Sequence, residues 1–198
     1  MTISPSPHRT GPASRPAGSL SALVPRQPGP PVHETDRAAG AVPSGAADGR
    51  PPVDWLSPTG RLPAVLSAWG RGVLAEVPAG IAWDVVRLPA KLAHETVQRL
   101  RAAGAPLGPV LSAPLGAEFF VAAGSADGWD VAEGTVLPYG TLVLMPDPGV
   151  TGSRRIGDRG WLVAPAGQPL PRGADLRDAY AEARAHAAET AEDAETTV

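Results

Sequence analysis

The sequence predicts an α+β fold built on a mainly antiparallel sheet with packed helices. Three observations predict it. Two segments with helical spacing of apolar residues lie before position 105, most strand-like runs cluster between 108 and 165, and a last helical segment follows them. All five Trp and both Phe fall between Trp55 and Trp161, which places one core there.

The elements follow in order. Order is expected to begin at Asp54-Trp55-Leu56. In "SPTGRLPAVLSAWGRGV", Leu62, Val65, Leu66, Trp69 and Val73 recur at helical spacing, Pro63 suits a first turn, and Gly70 and Gly72 mark the stop. "AGIAWDVVRL" reads as a strand. "PAKLAHETVQRLRAAG" reads as a helix opened by Pro89, faced by Leu92, Thr96, Leu100 and Ala103, and closed by Gly104. "GPVLSA" and "GAEFFVAAG" read as strands, and "GTVLPYGTLVLMPDP" as a hairpin-like pattern with a turn or bulge at Tyr139-Gly140. "TGSRRIGDRG" is a loop and "GWLVAP" a final strand. In the closing helix Leu176, Tyr180, Ala183 and Ala187 share one face, and the helix is expected to fray after about Ala188.

Composition divides the 198 residues into three parts. Residues 1–52 are rich in Pro, Gly, Ser and Ala, with Pro-Gly-Pro-Pro at 28–31, and are expected to form a disordered arm. Residues 53–167 form the α+β domain, and 168–198 an acidic, Ala-rich helix and tail. Net charge runs from +2 in the arm (five Arg, three acids) to about −1 in the domain and −4 at the end (three Arg, seven acids). This is not the basic footprint of a strong nucleic-acid binder. The absence of cysteine excludes disulfides, thiolate metal sites and thiol catalysis. No apolar run is long enough for a membrane helix, and the N-terminus has no apolar leader core, so a soluble cytoplasmic protein without membrane partners is expected. One Lys against sixteen Arg, with abundant Ala, Gly and Pro, suggests a GC-rich, actinobacterial-type genome.

Three acids could carry chemistry. Asp84 lies inside an apolar strand and shares a face with Val86. It is either one of a set of metal-binding carboxylates or an acceptor for backbone N–H groups or an Arg such as Arg99 or Arg101. Glu118 precedes an apolar strand and reads either as a site acid or as an edge-strand charge facing solvent. Asp130, in "DGWDVAEG", reads as a site acid or as turn chemistry. His94 is the one histidine of the domain, on an exposed face, and no Ser-His-Asp or phosphate-loop motif is present. Arg154, Arg155 and Arg159 form the one local basic cluster, a candidate contact for a nucleic-acid backbone or a solvated loop.

The stretches "WDVVRLPAKLAHETVQRLRAAGAPLGPVL", "FFVAAG", "GTVLPYGTLVLMPDP" and "RGWLVAPAG", between Trp55 and Gly167, resemble actinobacterial proteins with a bifunctional DNA primase/polymerase N-terminal domain. The resemblance implies an RRM-like, primase-palm-like fold. In that family an Asp-x-Asp or Asp-x-Glu strand, a small-x-His strand and a third acid assemble the metal and nucleotide site. Asp84 matches the first acid, and Val86 stands where the second belongs. Glu118 stands in place of the His, and Asp130 is the candidate third acid. The chain is also short before the first acid. A degenerate domain that binds a nucleotide, a nucleic acid or a protein partner is therefore expected. The alternatives are a divergent nucleotidyl transferase using Asp84, Glu118 and Asp130 with Mg or Mn, and an interaction module without a ligand. No cofactor is expected outside the transferase alternative.

Overall fold

Pro63 in its first turn and the left-handed Gly72 beyond its end confine helix α1 to Leu62–Gly70, as its spacing predicts. The computed structural model describes residues 52–196, so the expected arm lies outside the described residues except for Pro52. A 3-10 turn over Asp54–Thr59 leads into α1. Val65, Ala68 and Trp69 are the buried stripe of α1, while Leu66 and Val73 stay partly exposed.

Strand β1, Ala75–Pro78, was not among the expected elements. Strand β2 covers Trp83–Leu88. A 3-10 turn over Ala90–Leu92 continues into α2, Ala93–Ala102, ended by Gly104 with φ 66°. Strands β3 (Val110–Ala113) and β4 (Gly116–Ala122) are the two expected strands, and they pair antiparallel. Strands β5 (Thr135–Val136), β6 (Leu142–Met145) and β7 (Gly160–Val163) complete the set, and α3 runs from Gly173 to Thr196.

The strands form two sheets. The larger has the order β5-β2-β4-β3-β7, antiparallel throughout, and the smaller is a β1-β6 ribbon. The fold is α+β, as predicted. The hairpin expected across Tyr139-Gly140 is corrected: β5 pairs with β2 and β6 with β1, so the turn hands the chain from one sheet to the other. Gly80 is required here. A Cβ at that position would come within 2.8 Å of the Tyr139 ring, and its φ of 82° disfavours any other residue.

Alternation along β2 assigns each face of the large sheet its own core. Trp83 and Val85 join α1, the ribbon residues Ala75, Val77, Val143 and Met145, Phe120 and Trp161. Val86 and Leu88 join the buried residues of α2 and α3. Trp55, Trp83, Phe120 and Trp161 pack ring against ring at 4.9 to 6.4 Å between centroids. Trp69 and Trp161 also donate their indole N–H groups to the carbonyls of Met145 and Pro146, at 3.0 and 3.2 Å, pinning the end of β6 to this core.

Helix α3 packs on α2, with Leu176, Ala179 and Tyr180 in the shared core and Ala183 also buried. The backbone N–H of Arg172 donates to Asp175 Oδ2 at 2.9 Å, closing the first turn. The helix, expected to fray after about Ala188, extends to Thr196. Ala and Glu are strong helix formers, and they carry it on although every side chain from Ala185 to Asp193, Ala187 included, is exposed.

Burial, then the nearby Glu133, raise the Tyr180 pKa above 10.0, with Arg184 opposing. A raised folded-state pKa contributes stability that is complete below the unfolded value and is lost as pH rises through the folded one. Replacing Tyr180 with Phe is therefore expected to flatten the fall of stability above about pH 10. Denaturant midpoints at pH 8 and pH 11 for both proteins check this.

Candidate functional site

The pairing of β2 with β4 decides which acids can meet. Asp84 lies opposite Val121, and Arg87 opposite Glu118. The two positions are three residues apart along each strand, an odd offset, so Asp84 projects from the helix-covered face and Glu118 from the ribbon-covered face.

On the helix side, Asp84 Oδ2 accepts the backbone N–H of Ala126 at 3.1 Å. That bond ties the turn after β4 to the centre of the sheet. The pairing considered with Arg99 or Arg101 is corrected: Arg99 binds Glu95 at 2.7 Å on its own helix, and Arg101 is exposed. Val86, two residues on from Asp84, is buried among the apolar residues of α2 and α3. Asp84→Ala is expected to cost about 1–2 kcal/mol by orphaning the buried Ala126 N–H, and Asp84→Asn less than half of that, because an amide oxygen can accept the same bond. Urea titrations of both variants check the order.

On the opposite face, Glu118 is 1% exposed and lies on the central strand, not on an edge facing solvent. Its two oxygens are divided between two guanidiniums. Arg87 Nη2 donates to Oε1 at 2.8 Å and Arg159 Nη1 to Oε2 at 3.1 Å. The Arg87 and Arg159 side chains are 24% and 14% exposed, and Arg87 Nε is buried without a hydrogen-bond partner. Arg159 is delivered by a tight turn. Ile156 and Arg159 exchange both backbone hydrogen bonds across Gly157 and Asp158, whose φ values are 54° and 60°. Arg159 Nη1 also reaches the Leu144 carbonyl at 3.3 Å, so this charge cluster joins the large sheet to the ribbon.

The predicted basic cluster is divided by the same turn. Arg159 points inward to Glu118, Arg155 Nη1 reaches Ser112 Oγ at 2.8 Å, and Arg154 is exposed. Asp130 sits on the loop between β4 and β5. Its carboxylate is 83% exposed and 4.0 Å from Arg177 Nε.

These positions do not fit a divalent metal. The second carboxylate position is a buried Val, Glu118 is saturated by two cations on the other face of the sheet, and Asp130 faces solvent. Among the described residues no group of three or more His, Asp or Glu could hold a metal ion. A groove of about 470 Å³ lies between Lys91-Leu92 and α3, lined by Glu133, Arg184, Ala187 and Ala188, and none of the three acids lines it. Among the described residues no helix is long and apolar enough to cross a membrane.

Sequence reasoning missed Arg87. The signal was there: the one cation in "WDVVRL" and the one acid in "AEFFVA" lie directly opposite each other once the strands are paired. No family model, curated protein or solved structure matches the chain.

Proposed function

We propose that this chain is a primase/polymerase-like domain that acts by binding a nucleotide, a nucleic acid or a protein partner, and that it does not transfer nucleotides. One observation carries the reading: the three acids that would have to converge are held apart. Asp84 and Glu118 leave opposite faces of the β2-β4 pair, and Asp130 turns to solvent beside Arg177. Nucleotidyl transfer relies on metal ions that neutralise charge developing in the transition state, and each ion needs carboxylates aimed at a common point. Asp84 and Glu118 instead serve as hydrogen-bond acceptors inside the fold.

The test is a primer-extension assay with the full chain and Mg or Mn, alongside thermal shift with the same metals and nucleotides. No extension is expected. Template-directed incorporation that disappears in Asp84→Asn would overturn the reading.

A further inference from the structure

We propose that Arg87 and Arg159, clamped side by side on Glu118, form a binding site for a phosphate oxyanion. This deepens the binding role proposed above and rests on it. Glu118 is the one buried charged residue among those described, and one carboxylate faces two guanidiniums. The cluster therefore keeps a net charge of +1 in a largely desolvated place, where electrostatic attraction is screened less than at an open surface.

The geometry of the clamp fixes both cations. Each guanidinium gives one N–H to a different oxygen of the same carboxylate, so the two planes are neighbours. Five N–H groups on each Arg leave a surplus of donors, and Arg87 Nε is buried with no partner. Both side chains are partly exposed, 24% and 14%, so neither is sealed from solvent. Guanidinium pairs suit the several oxygens of a phosphate, and here their rotamers are set before the ligand arrives.

The backbone supports the placement. Arg87 is locked in a strand paired on both sides, with Glu118 across one edge and Thr135 across the other. A Cβ on Gly116 would lie 3.3 Å from Arg87 Cγ, so the β3-β4 hairpin also packs against the stem. Arg159 is held by its two-residue turn, and the same loop carries the exposed Arg154 and Arg155. In this arrangement Arg87 and Arg159 touch the ligand and Glu118 is a positioning residue. The oxyanion could belong to a free nucleotide or to a nucleic-acid strand, and the chemistry of the site is the same for both.

The test uses the full chain and three probes: inorganic phosphate, ATP, and a fluorescein-labelled single-stranded oligonucleotide followed by anisotropy. Arg87→Gln is expected to weaken binding of the probe that belongs to the site by about tenfold or more. If the oligonucleotide is that probe, the slope of log K against log salt should shallow by about one. Arg101→Gln, an exposed Arg outside the cluster, should change neither. A preference for ATP over the oligonucleotide would assign the site to free nucleotides, and the reverse to a strand.

Because Arg87→Gln could unfold the domain, the wild-type chain is also modified with phenylglyoxal, and the adducts are mapped by mass spectrometry. Protection of Arg87 and Arg159 by phosphate, with Arg101 unprotected, supports the site. Equal modification with and without every probe overturns it, as does wild-type affinity in a folded Arg87→Gln. Neither result touches the absence of transferase activity, which primer extension reads separately.

Discussion

Glu118→Ala is expected to lose about 3–5 kcal/mol of folding stability, the cost of breaking a buried ion pair from one side. The substitution leaves the Arg87 and Arg159 guanidiniums facing each other with no anion between them, one side chain 24% exposed and the other 14%. For a domain whose whole stability is about 5–15 kcal/mol, that is about a fifth or more of the total. Glu118→Gln keeps the shape and one acceptor oxygen but removes the charge, and should lose most of the same amount. The triple replacement Arg87→Met, Glu118→Leu and Arg159→Met removes all three desolvation costs at once. It is expected to be close to wild type in stability, because the attraction within a buried cluster roughly offsets the cost of burying it. Urea unfolding of the three proteins checks the series. A triple variant as unstable as the single one would mean that the bond from Arg159 to the Leu144 carbonyl, which joins the ribbon to the sheet, carries the stability instead. A triple variant that is stable yet no longer binds phosphate would place the function of the cluster in its charge.

The architecture is legible in the sequence wherever a local pattern determines it. Pro63 with the glycines after α1, and Gly104 after α2, bound those helices, and period-2 alternation alone puts Asp84 and Val86 on one face. Strand β1 is hidden because "AEVP" is four residues long, carries an exposed Glu76, ends in Pro, and gains its order from β6, 67 residues later. The turn at Tyr139-Gly140 misleads for a related reason. Turn chemistry reports that the chain reverses, but it does not say which strands become neighbours. The far end of α3 continues beyond Ala188, where fraying is expected, because Ala and Glu favour the helix without needing a packed face. The site is the least legible part. Whether Glu118 faces water or two guanidiniums depends on residues 31 positions before it and 41 after it, and no local pattern encodes that. Family resemblance points to the acids. The neighbouring cations emerge only with β2 and β4 in register.

Trp83→Ala is expected to cost about 3–5 kcal/mol, the range for removing a large buried aromatic side chain. The ring is 1% exposed, 4.9 Å from Trp55 and 5.6 Å from Phe120, so its loss opens a void that neighbouring rings cannot close without leaving their own contacts. Trp83→Phe should cost far less than Trp83→Ala. The indole Nε1 of Trp83 has no hydrogen-bond partner, so the change to Phe removes volume without breaking a bond. Trp69→Phe should cost more than Trp83→Phe, because Trp69 donates to the Met145 carbonyl and its removal orphans a buried acceptor. Trp83 pairs with Ala122 and Arg87 with Glu118, four residues apart along both strands, so the aromatic cluster and the ion cluster occupy opposite ends of one strand pair. At that separation, and with the polar partners of Glu118 being Arg87 and Arg159 alone, Trp83→Ala and Glu118→Ala should add to within about 0.5 kcal/mol in a double-mutant cycle, provided a stabilising osmolyte keeps the double variant folded. A larger coupling would show that β2 and β4 respond as a single rigid unit. In that case the aromatic packing would also set the geometry of the Arg87 and Arg159 guanidiniums, and Trp83→Phe would weaken phosphate binding as well as stability.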